Sequence, residues 1–437
     1  MNDREQIVRR YIAERARRYW GTAGAQNLIF RLPVWSYPVE AGLSLTEPKM
    51  TFVPLPNWAA DLGVGPASGL LVYKEHIQPG DGPEYLRTNW LATALALMLS
   101  VEEQQHELAH GPIHSYSYKL KGSDERRFGK AWVNRIFLFL RRWAAAMSGA
   151  DEDRLFGGRP QAEIMLTHDV DAIEKTGAIR FKQGLFCGYN ASRNAVKGHF
   201  FKAGKKASQA LSFLFSSCNY WNFDLILALE ERWGLRSTFL FYGGGNPSGL
   251  KARLFDPGYT LNDPRLTEVF GFLLTNGWRI GLHPSFQSWN NWQIIAREKT
   301  ALEFEIGRAV EVCRQHWLRF SFGQTWRMQA RAELKTDLTL GFNDRPGFRN
   351  SAALAVEPFD LHTLTGFSII SIPMILMDSH LYDYRELSSE QRQATIKDII
   401  DEVRFVGGTA SVIWHQQVMN SDYGWIEGYR ELLECCQ

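Results

Sequence analysis

Cysteine is scarce, with five in 437 residues. Cys187, Cys218, Cys313, Cys435 and Cys436 are odd in number and irregular in spacing. They fit neither a disulfide framework nor a zinc ribbon and are expected to be reduced thiols. A charge bias is lacking as well: 49 basic against 47 acidic side chains leave a formal +2, which gives no basis for a nucleic-acid partner. Long apolar runs are absent too. Leu91–Ser100 is among the longest, far short of the roughly 20 residues that cross a bilayer, so no integral membrane segment is expected. The opening stretch MNDREQIVRRYIAERARRYW has no apolar signal-peptide core and reads as an amphipathic surface helix. The expected location is therefore the cytoplasm. There is no internal repeat and no low-complexity segment.

What is present is an ordinary globular composition, 45% hydrophobic and 22% charged, on a chain long enough for two units. Residues 1–158 and 159–437 read differently. The first part opens with a helix and passes through a Pro- and Gly-punctuated stretch. It then offers two helical patterns, NWLATALALMLSVEEQQHELAH and AWVNRIFLFLRRWAAAM, as in an α+β accessory domain. Ser148–Pro160 is the expected linker. In the second part short apolar runs end in polar clusters: AEIMLTHDVD, STFLFYG, WRIGLHPS, DLTLGFN, SIISIPM and TASVIWHQ. Helical patterns separate most of them, including REKTALEFEIGRAVEVCRQH, so an α/β fold with a barrel of parallel strands is expected.

Strand ends in such folds carry chemistry. Thr167-His168-Asp169-Val170-Asp171 sets two carboxylates two positions apart, an arrangement that is costly to bury without a cation. Taken alone, a strand end with a helix-capping Asp explains it equally well. His283 follows WRIGL and suits zinc or another borderline metal. Arg314-Gln315-His316 places His316 at the expected end of a helix. Arg349, in the loop Gly347–Asn350, could pair with a buried carboxylate. His415 ends an apolar strand and is placed as a proton donor. A lone His is more often structural; it is the order of these clusters that carries weight.

That order, from Ile164 to Asn420, resembles the polysaccharide deacetylase (NodB-like) family. More closely it resembles the branch whose first motif reads T-H-D-x-D and which has an extra N-terminal domain; the helix with Glu102-Glu103 is similar to part of that region. The resemblance implies a distorted (β/α) barrel of about seven strands and one divalent metal, zinc before others, held by one Asp and two His. It implies Asp169 as general base, Asp171 as carboxylate ligand, His283 as the first His ligand, Arg349 as the arginine bracing the base and His415 as general acid. The two aspartate roles are exchangeable, because the family more often has adjacent aspartates. The family's second His stands four positions after the first, where this chain has Gln287. The third ligand is then expected from His316, with His168 as the second choice; otherwise the site is incomplete, as in an inactive glycan-binding relative. The implied reaction removes an acetyl group from an N-acetylated sugar of a polysaccharide or glycan precursor.

Two further features compete for function. His106-Glu107-Leu108-Ala109-His110 is a literal H-E-x-x-H, the zinc-peptidase helix motif, but Gly111-Pro112 follows at once and the extended metzincin spacing fails. A polar surface helix is the plainer reading. The insertion from Ala172 to Trp221 carries Lys182, Arg193, Lys197, Lys202, Lys205 and Lys206 with few acids. It reads first as a solvated helical flap and second as a basic lip for an anionic glycan or a lipid-linked phosphate.

Overall fold

In the computed structural model the described residues are 2–21, 23–114, 120, 122–245, 249–385 and 387–437. The side chains of Lys182 and Lys202 lie outside the described set. A two-stranded antiparallel ribbon, β1 (Met50–Pro54) and β2 (Gly69–Tyr73), belongs to the N-terminal region. The main sheet is built from β3 (Glu163–Val170), β4 (Thr238–Phe241), β5 (Arg279–Leu282), β6 (Val312–Cys313) and β7 (Thr336–Asp337). After a small hairpin, β8 (Phe359–Asp360) and β9 (Thr365–Gly366), it is completed by β10 (Ile370–Ser371), β11 (Met374–Met377) and β12 (Thr409–Ile413). The order is β10-β7-β6-β5-β4-β3-β12-β11, and every pairing is parallel.

The two edges of this sheet are consecutive in the chain. The amides of Ile370, Ile372 and Met374 donate to the carbonyls of Lys335, Asp337 and Leu340, while Ser411 donates to Pro373 on the other side. β10 and β11 are thus two halves of one stretch, interrupted at Pro373, which has no N–H for the ladder. Counting them once gives seven strands in chain order around a distorted (β/α) barrel. Their apolar, nearly continuous burial is that of strands covered on both faces.

Helices follow most strands, but none lies between β7 and β10. The N-terminal region covers that sector. The helix Trp132–Ser148 is buried on almost every face, and its Val133 amide and Asn134 side chain bond to the carbonyls of Ser351 and Ala353. Tyr11, on the helix Asp3–Trp20, bonds to the Glu357 carbonyl and packs on Phe359. One apolar cluster runs through both regions. Across their contact, Arg135 pairs with Glu402 through two bonds of 2.7 and 2.6 Å, both side chains buried. Glu402→Gln is expected to lower the unfolding free energy by about 3–5 kcal/mol, because it strands the Arg135 guanidinium in the interior. Urea titration checks this; a loss below about 1 kcal/mol would contradict it.

Two sequence expectations need correction. The single helix through Asn89–His110 is two, Trp90–Met98 and Val101–His110, broken at Ser100 in the left-handed region (φ 51°). The helical pattern drawn up to His316 stops at Ile306, where Gly307 (φ 65°) caps it, and the chain re-enters the barrel as β6. His316 therefore follows a strand rather than ending a helix. No helix among the described residues is long and apolar enough to cross a membrane.

Candidate metal centre

Strand alternation sorts the first motif. Along β3, Thr167 and Asp169 point to one side and His168 to the other. His168 is fully buried, its Nδ1 donating to the Trp414 carbonyl (2.6 Å) and its Nε2 facing Glu230 (2.8 Å) and the Tyr429 hydroxyl (3.1 Å). It is a core histidine and stands away from the other candidates. Asp169 and Asp171 share the barrel mouth.

Asp171, His283 and His316 converge there. Each offers one ligand atom, and these atoms lie within 4.8 Å of one another. Asp171 Oδ1 is 3.3 Å from His283 Nε2 and 3.5 Å from His316 Nε2. Tetrahedral ligands about 2.0–2.2 Å from a shared cation sit roughly 3.3–3.5 Å apart, so the spacing fits zinc. Asp171 Oδ1 is also buried without a hydrogen bond, an orphaned acceptor of the kind a cation satisfies. Among the described residues this is the cluster able to hold a metal. Gln287, at the family's usual second-His position, is exposed and just precedes a short 3-10 turn, Ser288–Asn290.

The imidazoles are aimed by their other nitrogens. His283 Nδ1 donates to the Arg314 carbonyl (2.7 Å) and His316 Nδ1 to Asp256 (3.4 Å), which frees both Nε2 atoms for a metal. Gly281 lets this happen: a Cβ there would come 2.8 Å from the Val312 carbonyl oxygen, so only glycine lets β5 and β6 approach this closely. At the C-terminal end of β6, Trp317 and Leu318 both take positive φ (60° and 49°) and turn the chain immediately after His316. Burial, foremost, keeps His316 below its ordinary pKa, in the neutral form a ligand requires. Burial opposes ionisation of Asp171, yet His283, His316 and His415 hold its carboxyl well below the usual range.

Asp169 is held differently. Its Oδ1 accepts from Arg314 Nη1 at 2.6 Å, and its Oδ2 lies 3.9 Å from His283 Nε2. Burial works against its charge, but Arg314 first and then the histidines keep the carboxyl below its ordinary pKa. Arg314 is fully buried and also donates to Thr167 Oγ1 (2.7 Å) and the Leu338 carbonyl (3.0 Å). The brace expected from Arg349 is therefore supplied by Arg314. Arg349 instead pairs with Glu103 of the N-terminal region and donates to the Gly341 carbonyl.

His415 completes the mouth. Its Nε2 is 3.6 Å from Asp171 Oδ2, and its Nδ1 is 3.0 Å from both oxygens of the buried Asp378, which also accepts the His415 amide at 2.6 Å. Burial would lower its pKa, but Asp378 first, with Asp171 and Asp169 behind it, outweighs that and carries the imidazole up to about 10. The sequence assigns no role to Arg314, although it heads the cluster with His316, and none to Asp256 or Asp378. Asp378 had a signal, since it ends the apolar run MILMD; Asp256 had none.

The H-E-x-x-H helix serves structure. Glu107 accepts from the Ser321 hydroxyl and from the amides of Phe322 (3.0 Å) and Gly323 (3.1 Å), while the rings of His106 and His110 stack on each other at 4.4 Å. Its carboxylate is engaged with that turn, where a peptidase would need it beside a metal.

No protein-family model matches the sequence, and no curated protein does. Solved structures overlap it loosely. A protein named as a polysaccharide deacetylase from Mycobacterium smegmatis aligns at 18% identity and TM-score 0.37, over 64% of this chain and 86% of its own. The Xyl-CE4 domain of a multidomain xylanase from the hindgut metagenome of Trinervitermes trinervoides aligns at 11% and 0.28, over 63% and 82%. A polysaccharide deacetylase of Bacillus cereus aligns at 8% and 0.29, over 63% and 87%. Overlaps this loose decide nothing about activity; the fold stands on its own strand order.

Proposed function

We propose that this chain is a metal-dependent hydrolase that removes an acetyl group from an N-acetylated sugar of a polysaccharide or glycan precursor. The observation that carries the reading is the buried, unbonded Asp171 Oδ1 between two imidazole Nε2 atoms, with a braced carboxylate and an acid-base histidine at the same mouth. Asp171, His283 and His316 would hold a divalent cation, zinc before others. A cation there supplies Lewis-acid polarisation of the acyl carbonyl and acidifies water. Asp169, kept ionised by Arg314, takes the proton from the attacking water. His415, kept protonated by Asp378, gives its Nε2 proton to the departing amine. Of the two aspartates, Asp171 suits the ligand role because its Oδ1 faces both imidazoles, whereas Asp169 Oδ1 is spent on Arg314. Residues 1–158 serve as an accessory domain that walls the barrel where its own helix is missing.

The test is acetate release from N-acetylated oligosaccharides by purified protein. Release is expected with zinc and is abolished by a chelator and restored by added metal. A zinc-loaded protein that binds these sugars without releasing acetate would favour the inactive glycan-binding relative instead.

A further inference from the structure

The insertion after the first motif is a helical hairpin, Gly177–Val196 and Phe200–Phe215. Its base is fastened to the barrel. Lys175 pairs with Asp422 at 2.5 Å, both side chains buried; within the hairpin, Arg180 ties the two helices together by donating to the carbonyls of Leu214 (3.1 Å) and Ser216 (2.6 Å). Its inner face is packed: Cys187, Ala210 and Phe213 form a small core against Tyr423, and Gly184 gives Leu214 room, since a Cβ there would meet Leu214 Cγ at 2.9 Å. The outer faces are the reverse of what a solvated flap needs. Phe181, Leu185, Tyr189 and Val196 fall within an arc of about 80° on the first helix, turned away from that core, and all are exposed. Phe200, Phe201, Leu211 and Phe215 fall within an arc of about 100° on the second and are exposed as well. The tip is the most naked part: Val196 is 89%, Phe200 74% and Phe201 88% exposed. Exposed aliphatic and aromatic side chains at this density signal a binding surface.

Charge says what binds. From Lys175 through Asn222 the sequence holds eight Lys and Arg, Lys175 included, and no acidic residue. Arg193, Lys197 and Lys205 flank the apolar tip and are exposed. Apolar stripes bordered by Lys and Arg on surface helices are the pattern of elements that lie in the headgroup region of an anionic bilayer. A second copy of the chain would oppose cation to cation, and a neutral sugar polymer, although it stacks on aromatic rings, matches neither the exposed Leu185, Val196 and Leu211 nor the cations beside them. The hairpin begins six residues after Asp171, on the side of the barrel where the metal triad lies, and a cavity of about 240 Å³ lined by Ala172, Ile173, Thr176, Ile179 and Tyr259 lies beside its base.

We infer that this hairpin is an interfacial anchor that seats the barrel mouth against an anionic membrane surface. The inference does not depend on the chemistry proposed for the mouth, and its test reads no activity. Full-length protein is sedimented with vesicles of phosphatidylcholine alone, and with vesicles holding about one third phosphatidylglycerol. Binding is expected to the anionic vesicles only and to weaken as salt is raised. Val196→Ser/Phe200→Ser/Phe201→Ser, all exposed, is expected to lose binding at least about tenfold. Lys197→Glu/Lys205→Glu is expected to lose at least about 25-fold, from roughly fivefold per cation removed. The second variant leaves the apolar tip untouched, so a folding defect in one does not decide the other. Absence of binding, equal binding to both vesicle types, or binding unchanged in both variants would overturn the inference. So would a concentration-dependent dimer that the triple variant abolishes in protein that ignores vesicles.

Discussion

Asp169→Asn is expected to lower kcat on an N-acetylated oligosaccharide about 10²–10⁴-fold while leaving zinc bound. The amide keeps the shape of the carboxylate but cannot accept a proton at neutral pH. It also weakens the hydrogen bond from Arg314 Nη1, which measures 2.6 Å to the native oxygen. The three ligand atoms themselves are untouched, because Asp169 Oδ2 lies 3.9 Å from His283 Nε2 and outside the triad. The check pairs single-turnover kinetics with metal content. A variant that turns over like the parent would remove Asp169 from the chemistry; one that loses its zinc would exchange the roles of the two aspartates.

Asp171→Asn tests the other half of that division. Loss of an outer-sphere partner of a ligand usually costs about 10–100-fold in metal affinity, so loss of the charged ligand itself should cost at least about 100-fold. The site favours this strongly. Among the described residues Asp171 is the carboxylate that faces both His283 and His316, and its Oδ1 makes no hydrogen bond that an amide would preserve. Turnover should fall together with metal occupancy and return partly at high zinc. Competition titration against a chromophoric chelator measures the change; an affinity within about threefold of the parent would contradict the assignment.

Much of this could be read from residue order and strand periodicity. Short apolar runs ending in polar residues mark most of the barrel strands, and strand ends with the family resemblance single out Asp171 and His283; His316 enters as the substitute for the family's second His, from a position that reads in the sequence as a helix end. Alternation along β3 could also have excluded His168, because a residue beside Asp169 points through the opposite face. Other parts were hidden for physical reasons. β6 is two residues long and follows the helix Trp292–Ile306 after a short link, so the helical period in the sequence runs over it, whereas in the structure Gly307 ends the helix before it. The brace on Asp169 was given to Arg349 because a loop arginine matched the family's order. The fold brings β6 beside the mouth and puts Arg314 there, and it sends Arg349 to Glu103. Asp256 and Asp378 orient histidines that are 60 and 37 residues away in the chain, and spacing says nothing about such pairs. The role of the N-terminal region as a cover for the sector without a helix follows from packing alone.

Zinc-edge X-ray absorption of the metal-loaded protein reads whether one cation is shared by Asp171, His283 and His316. The expected spectrum shows oxygen and nitrogen bound at about 2.0–2.1 Å, with more distant scattering from two imidazoles and no sulfur. A single imidazole, a sulfur ligand, or a protein that takes up no zinc at all would contradict it.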